Sequence, residues 1–212
     1  MKASVGTRVF AVMTAGWLAL TTASADEVVV NLNHSGPGSL RQAIADVGPG
    51  GTVTFDAALN GLVIGLGGTE LVLTRDMSID ASALASGIVI DADRDSRAFS
   101  IDNSATVEIK NLTIRRGLEQ TGGGILNRGE LSLVDTTLTF CGAQRSFGGG
   151  GGGIFNAGTL ALLNCTLENC GASSAGGGIH SDGILIMEGC TLHRNSAGSA
   201  GGREDRLEDR TD

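Results

Sequence analysis

The sequence predicts an all-β fold: a single-stranded right-handed parallel β-helix with a short capping helix near its N-terminus. Three observations predict it. A strand-sized block recurs four times, as VEIKNLTI (107–114), LSLVDTTL (131–138), LALLNCTL (160–167) and LIMEGCTL (185–192), the last residues standing 24, 29 and 25 apart. A glycine block recurs between them, as TGGGILNRG (121–129), GGGIFNAG (151–158) and GGGIHSDG (176–183). Within these repeats apolar residues alternate with period two, with no helical period sustained over ten residues. A repeat of about 25 residues of this kind buries its apolar face only by stacking on the next one, about 4.8 Å away.

The elements follow in chain order. Residues 1–25 read as a secretory signal peptide, with Lys2 and Arg8 ahead of the apolar run VFAVMTAGWLAL (9–20) and a small-x-small site at Ala23-Ser24-Ala25. Cleavage is expected after Ala25. Residues 26–51 form the cap. Ser39-x-x-Gln42 is a capping-box pattern, Leu40, Ala43, Ile44 and Val47 share one helical face, and Gly48 stands where a helix C′ glycine belongs. That face is expected to cover the open end of the core.

Residues 52–202 supply the coils. The early strands are expected at 52–56, 62–66, 70–74, 77–80, 87–91 and 98–102, in looser repeats. Ile125, Ile154 and Ile179 should form one buried ladder, and Ile114, Leu138, Leu167 and Leu192 another. The run of six glycines at 148–153 is then a corner of the repeat. A phosphate-cradling loop would need a strand–loop–helix setting and a lysine, and both are missing. Residues 203–212, REDRLEDRTD, carry eight charges in ten residues and are expected to be a disordered polar tail or the truncated end of a longer solenoid. The coil built on 184–192 should then be open, with fraying or end-to-end self-association as the physical outcomes.

Composition narrows the function classes. Without the signal peptide the chain keeps 13 basic and 23 acidic residues, a net charge of −10. Nucleic acid and anionic membrane surfaces should be repelled. No second apolar run is long enough to span a membrane, so no span is expected in the mature chain.

The segment VVVNLNHSGPGSLRQAIADVGPGGTVTFD (28–56) resembles the N-terminal cap of secreted bacterial right-handed β-helix proteins. The GGGI units and the TLHRN segment at 191–195 are similar to repeats of polymorphic outer-membrane proteins and related surface proteins. The resemblance covers most of 28–202. It implies export, a pectate-lyase-like β-helix, a secreted or cell-surface location and an adhesive or binding role toward a surface glycan or a host protein. It brings no catalytic residues to carry over. At 212 residues the chain is expected to lack the C-terminal membrane barrel by which such proteins anchor.

Several residue groups are candidates for more than packing. Aligning the repeats makes Cys165 equivalent to Cys190 and Cys141 to Cys170, each pair within bridging reach on adjacent coils. Disulfides are permitted in an exported chain, but in-register stacking gives poor bridge torsions, so free stacked thiols are the expectation. Asn103, Asn127 and Asn156, followed by Ser181, should form an asparagine ladder bonding coil to coil. The enzymatic hint is acidic. Asp91, Asp93 and Asp95 alternate in VIDADRDSR (89–97), and Asp80 and Asp102, 22 apart, could face each other. Asp80, Asp91, Asp93 and Asp102 are the catalytic candidates of a carbohydrate-active enzyme, a polysaccharide lyase or glycoside hydrolase, if one cleft gathers them with a basic partner. The competing reading of D-A-D-R-D is a solvated turn. No cofactor is expected, because the calcium nonapeptide is missing and His34, His180 and His193 are scattered.

Overall fold

A computed structural model describes residues 25–144 and 150–198; the segment expected to be a signal peptide, up to Ser24, and the charged segment 203–212 lie outside them. The chain winds into a parallel β-solenoid of about six turns with one short helix near its N-terminus. The strands fall into four sheets, and the two coils before Thr106 visit three of them. The first has seven strands: Glu27–Val29, Gly51–Phe55, Met77–Asp80, Thr106–Lys110, Glu130–Val134, Thr159–Leu163 and Ile184–Glu188. The second has six, from Val63–Gly65 and Ile88–Asp91 through Leu112–Arg115, Thr137–Thr139 and Thr166–Glu168 to Thr191–His193. The third is narrow, with Leu118–Glu119, Gly142–Ala143, Gly171–Ala172 and Ser196–Ala197. The fourth runs from Leu71–Leu73 through Phe99–Ile101, Ile125–Asn127 and Ile154–Asn156 to Ile179–Ser181.

Both predicted ladders are present. Ile125 pairs with Ile154 and Ile154 with Ile179 in the fourth sheet. Ile114, Leu138, Leu167 and Leu192 stack in the second. Every member is fully buried except Ile179 and Leu192 of the last described coil, which are half-buried. A third inward column, Ile79, Ile109, Leu133, Leu162 and Met187, lines the first sheet. Period-2 alternation thus puts one apolar residue per step on the inside of every coil.

The triple glycine answers three separate demands at one corner. Gly122, Gly151 and Gly176 adopt φ values of 59°, 70° and 62°, a left-handed bend. At the next position a Cβ on Gly123, Gly152 or Gly177 would lie 2.0 to 2.3 Å from a carbonyl oxygen of the third sheet, at Gly142, Gly171 or Ser196. At the third, a Cβ on Gly124 or Gly153 would meet the carbonyl of the next coil at 2.7 or 2.6 Å.

The helix spans Leu40–Asp46, and its face caps the core: Leu40, Ala43, Ile44 and Val47 are all buried. Ser39 is the N-cap, its Oγ accepting from the Gln42 amide. The reciprocal half of the capping box is not made. Ser39 N donates to Gly36 O, which frees the Gln42 side chain to bond Asp46. Nor is Gly48 the left-handed C′ residue. Val47, held in the core with no exposure, leaves the helix extended, and the positive φ falls on Gly50, at 74°. Two arginines tie this cap to the coil beneath. Arg41 donates to the carbonyls of Glu70 and Thr69, and Arg75 to those of Val47 and Ala45.

Candidate functional site

The four candidate carboxylates do not gather on one cleft. Asp80 ends a strand of the first sheet, where it pairs with Lys110, its Oδ2 3.8 Å from Nζ, and accepts from the Ser82 amide. Asp102 lies beyond the fourth sheet, exposed, with its Oδ1 accepting from Asn103 N. The expected facing of Asp80 and Asp102 is therefore wrong. The turn from Asp80 to Gly87 lengthens that coil, so Met77 stands opposite Val107 and the register partner of Asp80 is Lys110.

Asp91 and Asp93 do come together, through arginine. Asp91 is 3% exposed. Its Oδ1 accepts from Arg116 Nε at 2.8 Å and from the Asp93 amide at 3.0 Å, and its Oδ2 from Arg115 Nε and an Arg116 terminal nitrogen, each at 2.8 Å. The same Arg116 reaches the exposed Asp93 at 2.8 Å. Burial pushes the Asp91 carboxyl up, but the hydrogen bonds from Arg116, the Asp93 amide and Arg115 outweigh it and hold the group below the usual carboxylate range. Asp93 and Arg94, both at positive φ, form the exposed turn. The D-A-D-R-D segment is thus a surface turn whose first carboxylate is covered by two arginines of the next coil and clamps the coils together.

The asparagine ladder is real but shorter than expected. Asn127 Nδ2 donates to Asn156 Oδ1 at 2.8 Å, and Asn156 Nδ2 to Ser181 Oγ at 2.9 Å. Asn103 is not part of it. The residue in register with Asn127 is Ile101, and Asn103 is exposed in the turn that follows. The cause is turn length. Asn127 and Asn156 each accept from a glycine amide two residues on, Gly129 or Gly158, which closes a two-residue turn into the first sheet. The turn after Ile101 is two residues longer and closes through an Ala105 N to Asp102 O bond instead.

The cysteines stack in the predicted pairs and are all free thiols. Each lies near the carbonyl two residues before it, at 3.4 to 3.5 Å: Cys141 to Thr139, Cys165 to Leu163, Cys170 to Glu168 and Cys190 to Glu188. Burial pushes the Cys165 thiol up to about 11. The bond with Cys170 and burial raise Cys141 well above the ordinary thiol value. Cys141 and Cys165 are thus packing thiols that stay protonated at neutral pH, while the hydrogen bond from Cys141 lowers Cys170. Among the described residues no group of three or more His, Cys, Asp or Glu is placed to hold a metal, and no helix is long and apolar enough to cross a membrane.

The larger concavity, about 380 Å³, lies along the outer face of the narrow third sheet. Its floor includes Gly142 and Gly171, and Phe140, Asn169, Gln144 and Arg94 stand around it. One repeated corner builds a wall. The residue after each of the last four second-sheet strands takes a left-handed φ, at Arg116 (55°), Phe140 (54°), Asn169 (52°) and Arg194 (53°), stacked coil on coil, and of these Phe140 and Asn169 line the groove. Asparagine tolerates this conformation, whereas a bulky L-residue pays roughly 1–2 kcal/mol for it. Phe140 does so while 52% exposed, with no aromatic partner among the described residues. Sequence reasoning missed these residues. The available signal was the position two after each ladder residue, where an otherwise regular repeat carries Arg, Phe, Asn and Arg in turn. A second concavity, about 280 Å³, lies beneath the cap, between the two arginines that stitch the helix down.

Comparison of the chain with protein-family models, with curated proteins and with solved structures returned no match. The fold and the geometry above are therefore the grounds for a functional reading.

Proposed function

We propose that this chain is an exported, surface or secreted β-solenoid that binds rather than cuts, akin to the polymorphic outer-membrane and related surface proteins that its cap and repeats resemble. The observation that carries this reading is the state of the acidic candidates. A carboxylate pair for glycoside hydrolysis needs two accessible groups on opposite sides of one bond, one of them protonated to act as acid. Asp91 is buried, held ionised, and has both oxygens occupied by arginines and an amide. Asp80 and Asp102 serve turns on other faces. Among the described residues the exposed surface offers regular columns and two concavities, which suits a binding scaffold.

The test has two parts. The full chain is expressed in a Gram-negative host, and the exported product is fractionated and its N-terminus determined. Processing after Ala25 and recovery outside the cytoplasm are expected. That product is then incubated with a panel of neutral and acidic polysaccharides and assayed for new reducing ends and for unsaturated ends. No release above the buffer control is expected. Cleavage that Asp91→Asn or Asp93→Asn abolishes would replace this reading with a carbohydrate-active enzyme.

A further inference from the structure

We propose that the groove over the third sheet is a binding site for a neutral glycan chain running along the solenoid axis. This rests on the reading that the protein binds without cutting. Four features of the groove are not needed by the fold and agree on this ligand.

The first is its bare floor. Gly142 and Gly171 lie on strands, and neither has a positive φ. Among the described residues a Cβ on Gly171 would meet nothing nearer than Ser196 Oγ at 3.4 Å, and one on Gly142 the flexible tip of Leu118 at 3.0 Å and Gly171 O at 3.7 Å. The corner glycines beside them could not accept a side chain, but these two could. Their emptiness keeps open a channel that side chains would otherwise fill.

The second is Phe140, an exposed ring at a backbone position that asparagine occupies in the next coil. Neither its conformation nor its exposure stabilises the fold. A flat apolar ring at the rim of a polar groove is a stacking platform for the apolar face of a sugar. The left-handed corner is shared with Arg116 and Arg194, and what sets Phe140 apart is the exposed apolar ring that it carries there.

The third is the hydrogen-bonding inventory. Arg94, Gln144 and Asn169 line the groove, and among the described residues their side-chain nitrogens and oxygens make no bond to the protein. Two amides and a guanidinium offer paired donors and acceptors that match vicinal hydroxyls.

The fourth is charge. Among the described residues that line the groove, Arg94 is the single cation, and it is flanked in sequence by Asp93 and Asp95. With −10 overall on the mature chain, a polyanionic glycan would meet net repulsion. A neutral chain avoids that repulsion and still uses every donor.

The mature chain is titrated calorimetrically with cello-, xylo- and manno-oligosaccharides, and in parallel with oligogalacturonate and alginate oligomers. One neutral series should bind, at least tenfold more tightly than either acidic series. Phe140→Asn should weaken that binding at least tenfold while the melting temperature holds or rises, since Asn suits the left-handed corner. Gly171→Val fills the floor from a position with room for it and should also lose binding with its fold intact. Val72→Ala, exposed on the outer face of the fourth sheet, should bind as wild type. The proposal is overturned if no neutral series binds at millimolar concentration, if an acidic series binds more tightly, or if Phe140→Asn and Gly171→Val bind normally. Failure of binding without cleavage removes the groove and leaves the scaffold reading. Cleavage of any glycan removes the scaffold reading whatever the groove does.

Discussion

Replacing Asn127 with alanine strikes a side chain that joins two neighbouring coils from a position with no solvent exposure. Three hydrogen bonds go: to Asn156 Oδ1 at 2.8 Å, to Thr159 O at 2.9 Å, and from the buried Gly129 amide at 3.2 Å. At a net value of about 1 kcal/mol each, the loss is about 3 kcal/mol. Asn156→Ala removes four bonds, but two of them go to Ser181 and to the carbonyl of Ile184, on the last described coil where water can replace them. Its cost should be smaller, about 2 kcal/mol. The two residues share one bond, so the double variant should fall short of the sum by about 1 kcal/mol. Asn103→Ala is the control. It sits in an exposed turn outside the ladder and should shift stability by less than about 0.5 kcal/mol. Urea unfolding followed by circular dichroism measures all four, provided that a second probe gives coincident transitions. An Asn127→Ala cost under about 1 kcal/mol, or an Asn103→Ala cost equal to it, would refute the ladder argument.

Other expectations follow from the same packing. Leu138→Ala, fully buried between Ile114 and Leu167, should cost about 2–5 kcal/mol, whereas Leu192→Ala on the half-buried last coil should cost visibly less by the same unfolding assay. The Asp91 carboxyl is depressed in the folded state, so its contribution is complete above the unfolded value of about 3.9 and is lost as pH falls through the folded one. Asp91→Asn should flatten the fall in melting temperature as the pH drops below about 4, and an unchanged slope would show that the clamp carries no charge linkage. The last described coil leaves Ile184 and Ile186 more than half exposed. Amides in 184–192 should exchange with deuterium faster than those in 107–114 at low protein concentration; equal protection that appears only at high concentration would mark end-to-end association.

How far the sequence could be read depended on how locally each feature is encoded. The two ladders were legible because their members recur at the chain separation that sets the strand register itself. The helix face was legible for the same reason. Errors arose where turn length, rather than side-chain pattern, decides the register. Asn103 matched by spacing, yet two extra residues in its turn put Ile101 in the column. Asp80 missed Asp102 because the turn after it is long. The Gly48 error had another source: complete burial of Val47 overrode the local glycine signal at the helix end. The groove was the least legible feature. It consists of residues from several coils and of two side chains that are missing, and an unneeded glycine looks the same in sequence as a required one. Only the clash distances separate Gly171 from Gly152.

The account stands or falls on whether the groove holds a sugar and leaves it whole. The mature chain, equilibrated with a mixture of neutral oligosaccharides, is subjected to hydrogen–deuterium exchange with mass analysis of both the protein and the recovered sugar. The predicted result is slowed exchange confined to peptides covering 140–144 and 169–173, with every sugar recovered at its starting mass. Shortened sugar, or slowing on peptides elsewhere with none at the groove, would contradict it.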